Sequence, residues 1–136
     1  MNEREPIEVY ERSREAMSTG ERRVAEVLDG MDVEYVAERK LHGFDGKFDF
    51  VILSHHAIIE YDGQHHFEPI DAFGGWDKYY RVKHDDDLRY IFCKKRGIRL
   101  LRIPYTHYDR IEPLVKKFIE RIEINAGFRK YEKGAD

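Results

Sequence analysis

The chain has one cysteine, Cys93, among its 136 residues, which excludes an intramolecular disulfide and a zinc site built on paired thiolates. So sparing a use of cysteine is expected of a reducing, cytoplasmic setting. No apolar run approaches the roughly 20 residues that a membrane-spanning helix needs, and the charged opening Met-Asn-Glu-Arg-Glu has no signal-peptide character. Repeats, low-complexity tracts and a linker are also missing, so one domain with its own core is expected. Net positive charge is lacking too: the formal charge is −3, which argues at first sight against a polyanionic partner.

The distribution of charge argues otherwise. Residues 1–87 hold 11 Lys+Arg against 21 Asp+Glu, whereas residues 88–136 hold 13 against 6. The basic half includes Lys94, Lys95, Arg96, Arg99, Arg102, Lys116, Lys117, Arg121, Arg129, Lys130 and Lys133. An acidic region beside a basic one suits a protein that holds a cation in the first and a polyanion along the second. Ordinary solvated helix faces produce similar runs.

Periodicity divides the chain into an arm (1–17), a folded domain (18–124) and a basic tail (125–136). Ser18-Thr19-Gly20-Glu21 is a capping box, followed by Val24, Val27, Leu28 and Met31 at helical spacing and a stop at Asp29-Gly30. Val33 to Ala37 reads as a strand. Two apolar runs, Phe48–Leu53 and Ala57–Tyr61, flank Ser54-His55-His56 as a hairpin. A loop with Pro69, Gly74 and Gly75 leads to a helix from about Trp76 to Arg96, stopped by Gly97. Ile98–Ile103 is a strand bounded by Pro104, and Ile111, Leu114, Val115, Phe118, Ile119 and Ile122 mark a last amphipathic helix. This αβββαβα order predicts an α/β fold: a mixed sheet flanked by helices.

The hairpin carries the chemistry. Asp49 heads one run; Glu60 and Asp62, two residues apart, share a face of the next. Its open end gathers these three carboxylates, with His65 and His66 just beyond. Carboxylates drawn together repel one another unless a cation neutralises them, so the pattern points to a metal-dependent hydrolytic site. Single positions also have plainer readings: Asp62-Gly63 as turn chemistry, and Glu21 as a member of its capping box.

Five segments in this order resemble the PD-(D/E)xK nuclease superfamily, and within it the very-short-patch-repair branch and the related EDxHD homing endonucleases. They are Gly20-Glu21 with Val24 and Leu28, Phe48-Asp49-Phe50-Val51, Glu60-Tyr61-Asp62-Gly63-Gln64-His65, Asp86 with Arg89, and Gly97–Tyr105. The likeness spans roughly residues 18–122 and implies a restriction-endonuclease-like fold. It further implies a Mg²⁺-dependent endonuclease acting on double-stranded DNA, from a phage or other mobile element. The superfamily's strand lysine is replaced here by Asp62; the repair branch also lacks it and relies on histidine. A catalytically inactive nuclease-fold module that binds DNA or another partner is the alternative.

The resemblance implies the following roles. Asp49 is the principal Mg²⁺ ligand, with Glu60, the Tyr61 carbonyl and Asp62 beside it, and Mn²⁺ as a substitute. His65 is the general base or acid, its ordinary pKa of about 6.5 suiting the task, with His66 in reserve. Glu21 and Asp86 support a bound water or a histidine. Phe67, Phe73 and Trp76, on a loop beside the site, are placed to wedge into duplex DNA or to cover a core edge. Lys78, Arg81, Arg89, Lys94, Lys95 and Arg102 are the expected phosphate contacts. A double-strand cut by so small a chain needs a homodimer or two successive nicks.

Overall fold

The computed structural model describes residues 16–127; most of the expected arm and nearly all of the expected basic tail lie outside them. Helix α1 (Thr19–Gly30) begins at the predicted capping box: Ser18 Oγ accepts the Glu21 N–H at 3.2 Å and Glu21 Oε1 accepts the Ser18 N–H at 2.8 Å. Strands β1 (Val36–Lys40), β2 (Lys47–Ile52) and β3 (Ala57–Asp62) follow, then α2 (Gly75–Lys95), β4 (Arg99–Pro104) and α3 (Ile111–Ala126). The order is the one expected.

The four strands form one sheet in the order β1-β2-β3-β4, antiparallel except for the parallel pair β3/β4 that α2 connects. Val24, Val27 and Leu28 of α1 and Ile111, Val115, Ile119 and Ile122 of α3 cover one face, against Phe50, Ile52, Ala57, Ile59 and Ile103. Helix α2 covers the other with Phe92 and Cys93, against Phe48, Val51 and Ile58. Buried side chains of this kind contribute roughly 1.5–3 kcal/mol each, so the larger cluster dominates stability. This is the restriction-endonuclease-like arrangement.

Three boundaries differ from expectation. Val33, predicted to open the first strand, is captured by the end of α1: Asp32 takes a left-handed conformation (φ 59°) and the Val33 N–H donates to Leu28 O at 3.1 Å. The strand therefore starts at Val36. Met17, assigned to the arm, is buried in the larger core, and α3 runs past the expected end of the domain to Ala126.

Candidate active site

Strands β2 and β3 pair from Ile52↔Ala57 to Phe50↔Ile59 and part beyond that rung. Side chains then replace the backbone ladder. Glu60 Oε2 accepts the Asp49 N–H at 2.6 Å, and Asp49 Oδ2 accepts the Tyr61 N–H at 2.9 Å. Backbone donors left over by the parting strands are thus satisfied by carboxylates of the facing strand. In a strand the C=O of a residue points to the same side as its N–H, so the Tyr61 carbonyl faces the same opening.

The parting also breaks strand alternation. Phe48 packs with Val51 on the α2 side, whereas Phe50 and Ile52 lie on the α1 side. Alongside, Glu38 of β1 adopts φ 54°, a left-handed conformation that glutamate seldom takes. The two irregularities bring Glu38 and Asp49 together with Glu21 of α1: one carboxylate oxygen of each lies within 4.8 Å of the others. Glu21 therefore serves its capping box and this cluster at once.

The electrostatics follow from that crowding. Burial, then the Glu60 and Glu21 carboxylates, pushes Asp49 up to about 9. Burial and Glu21 likewise raise Glu38. Burial raises Glu60, although the Asp49 N–H and Arg89 act against it. Among the described residues, no ion pair joins Glu21, Glu38 or Asp49 to a lysine or arginine.

A second group, Asp62, His66 and Asp86, adjoins the first. His66 Nδ1 lies 3.0 Å from Asp86 Oδ2 and 3.7 Å from Asp62 Oδ1. Here a cation is already present: Arg102 Nη1 is 2.9 Å from Asp62 Oδ1 and 3.3 Å from Asp86 Oδ1. The parallel register Glu60↔Arg102 places that guanidinium at this end of the sheet. Burial alone would raise Asp86; the His66 hydrogen bond and the Arg102 charge outweigh it and hold its carboxyl below the ordinary range. Asp62 stays raised because burial outweighs Arg102 and His66.

Glu21 and Asp49 of the first group and all three of the second line one cavity of about 350 Å³, with Glu60 and His65 among others. The expected carboxylates and histidines thus meet in one place. The histidine that contacts Asp86 is His66, not His65, whose pKa is lowered by burial, by His66 and by Lys78. A larger cleft of about 460 Å³, lined by Asp32, Glu34, Tyr35 and Ser54 among others, has no histidine, lysine or arginine among the described residues of its lining.

The expected phosphate contacts divide. Arg89 and Arg102 turn inward: Arg89 lies over the Phe44 and Phe48 rings and bonds Glu60 Oε1 at 3.2 Å, and Arg102 holds Asp62 and Asp86. Buried carboxylates draw these guanidiniums away from solvent. Lys78 and Arg81 remain exposed on a recess that His65 and His66 share. Phe67, Phe73, Trp76 and Tyr80 are exposed nearby, Trp76 stacks on Tyr80 at 5.7 Å, and the Lys83 ammonium sits 5.1 Å from the centre of Phe67. Lys94 and Lys95 are exposed at the far end of α2.

Two residues escape a reading of the sequence, Glu38 beside Asp49 and Lys47 in the cavity lining. Glu38 sits in the charged run Glu38-Arg39-Lys40, which reads as a solvated edge strand; only its backbone conformation turns it to Asp49. Lys47 opens β2 two residues before Asp49, and that nearness in sequence is the signal it carried.

Fold and cavity together define a restriction-endonuclease-like domain with a candidate metal-binding site. Among solved structures, the chain is similar to the catalytic domain of the homing endonuclease I-Bth0305I. The two share 22% identity over 80% of this chain and 97% of that one, with a TM-score of 0.55, a likeness of fold. No family model and no curated protein sequence matches the chain.

Proposed function

We propose that the protein is a divalent-metal-dependent endonuclease that hydrolyses phosphodiester bonds of duplex DNA. The observation that carries this reading is the opening of the β2/β3 hairpin, which sets Asp49 beside Glu21 and Glu38, none of them in an ion pair with a lysine or arginine among the described residues, and near a histidine oriented by Asp86. The His66–Asp86 pair, together with an aspartate where the superfamily has its strand lysine, favours the very-short-patch-repair and EDxHD branch.

The residues at the opening fit a hard cation such as Mg²⁺, with Mn²⁺ as a substitute: the donors are all oxygens, mutually repelling and, among the described residues, without a lysine or arginine ion-pair partner. Asp49, with Glu21, Glu38 and the Tyr61 carbonyl, would hold it. When bound it would polarise the phosphate and lower the pKa of a water. Glu60 acts differently: both of its oxygens engage protein donors, so it braces Asp49. Asp62, already neutralised by Arg102, serves to place His66.

His66 is the general base. Asp86 holds its Nδ1, which fixes the tautomer and presents Nε2 to the attacking water. As the water oxygen bonds to phosphorus, its proton passes to His66 and the bond to the sugar oxygen breaks. Solvent returns a proton to that leaving oxygen. The aromatic rim around Trp76 and the cations Lys78 and Arg81 position the duplex.

One observation favours a non-cleaving module instead: Arg102 already satisfies two of the acidic side chains. Supercoiled plasmid incubated with Mg²⁺ or Mn²⁺, with EDTA and Asp49→Ala as controls, separates the two. Nicking that requires metal and Asp49 supports the nuclease; DNA binding without cleavage under either metal supports the module.

A further inference from the structure

Phosphodiester hydrolysis loads negative charge onto the non-bridging oxygens of the reacting phosphate, and a protein cation aimed there lowers the barrier. Position 62, two residues beyond Glu60 on the strand, holds aspartate rather than lysine. Among the described residues, the two guanidiniums that reach the site are already engaged, Arg102 with Asp62 and Asp86 and Arg89 with Glu60 and Asp85. The source of positive charge must therefore lie elsewhere in the cavity.

Lys47 meets the requirement. It opens β2 and lines the same cavity as Asp49 and His66. Two residues further along the strand, where β2 parts from β3, Asp49 lines that cavity together with Glu60 of the facing strand. The Lys47 main chain is fixed, paired with Lys40 of β1 and accepting a hydrogen bond from Arg89 Nη1 at its carbonyl. Its side chain is exposed and, among the described residues, enters no ion pair.

We infer that Lys47 is a catalytic residue of the proposed nuclease, its ammonium contacting a non-bridging oxygen of the scissile phosphate beside Asp49. The inference rests on the nuclease reading and adds the cation that Asp62 cannot supply. In the step itself, the water oxygen bonds to phosphorus and the electron pair of the breaking bond goes to the leaving sugar oxygen. The water proton goes to His66, while Lys47 keeps its own proton and stabilises the charge that builds on phosphate.

The test is single-turnover cleavage of a DNA duplex at saturating protein, with melting temperature and DNA affinity measured in parallel. Lys47→Met should cut about 10²- to 10³-fold more slowly, with Kd within about threefold and an unchanged melting temperature. Lys47→Cys should be equally slow and regain most of its rate on aminoethylation with 2-bromoethylamine, which rebuilds a lysine-like amine. Cys93 is buried and its thiol is pushed up to about 11 by that burial, so the new cysteine is the one that reacts. A Met variant within about threefold of wild type, or a Cys variant that aminoethylation does not rescue, overturns the role of Lys47 alone. Failure of the wild-type protein to cut overturns the nuclease reading and this role with it.

Discussion

Glu60 holds Asp49 by its backbone: the Glu60 carboxylate accepts the Asp49 N–H at 2.6 Å and is itself gripped by Arg89 at 3.2 Å. The charge of Glu60 therefore does mechanical work, keeping the hairpin parted where Asp49 must face the cavity. Glu60→Ala removes both contacts, leaving the Asp49 N–H and Arg89 without them, and should lower stability by about 1–3 kcal/mol, read as a shift in the urea midpoint. It should also weaken Mn²⁺ binding, because Asp49 loses its anchor. An unchanged midpoint would show that the Asp49–Glu60–Arg89 chain is not what holds the strands.

The raised pKa of Asp49 has a defined consequence for stability. A carboxyl whose folded pKa lies near 9 binds more protons folded than unfolded between its ordinary value and 9. The contribution of Asp49 to metal-free stability is therefore fully present below its ordinary pKa and is lost as pH rises through that window. Asp49→Asn should flatten the fall and raise the metal-free melting temperature at pH 8. A divalent ion should stabilise the wild-type protein increasingly as pH rises and leave the variant unmoved. Melting curves from pH 5 to 9, with and without Mn²⁺, check both signs.

The two adjacent histidines should separate cleanly. His66→Ala removes the base held by Asp86 and should slow cleavage by about 10²- to 10⁴-fold, whereas His65→Ala should change the rate by less than about tenfold. Equal losses for the two would remove Asp86 orientation from the account.

Gly20 reverses the usual rule for helices. Alanine normally stabilises a helix position by roughly 1 kcal/mol over glycine. A Cβ at Gly20, however, would lie 2.1 Å from the Tyr61 ring. Gly20→Ala should therefore destabilise the protein and, by pushing Tyr61, weaken metal binding at its carbonyl. A higher melting temperature for the variant would contradict this packing.

Removing Lys78 or Arg81 should weaken DNA binding across sequences and reduce the salt dependence of log K by about one unit each. Trp76→Ala should weaken binding without changing that slope, as expected of stacking. A filter-binding series in NaCl distinguishes the two effects.

Much of this arrangement was legible in the sequence because it is written in local pattern. The capping box at Ser18, the apolar runs around Ser54–His56 and the stop at Gly97 each act over a few residues, so element order and the meeting of Asp49, Glu60 and Asp62 followed. What escaped depends on conformation or long-range partners. Val33 left its strand because a left-handed Asp32 folds it onto α1. Glu38 entered the site through a backbone angle that no charged run announces. Arg89 and Arg102 look like surface cations in sequence and are drawn inward only once β3, β4 and α2 pack together. The choice between His65 and His66 turns on which ring reaches Asp86, twenty residues away in sequence from His66.

The central claim is that the divalent ion sits at Asp49. A crystal soaked in Mn²⁺ and measured for anomalous scattering tests it directly. The account predicts a peak in contact with the Asp49 carboxylate and the Tyr61 carbonyl, with Arg102 still between Asp62 and Asp86. A peak at Asp62, His66 and Asp86 with Arg102 displaced, or no peak at Asp49 at saturating Mn²⁺, would contradict it.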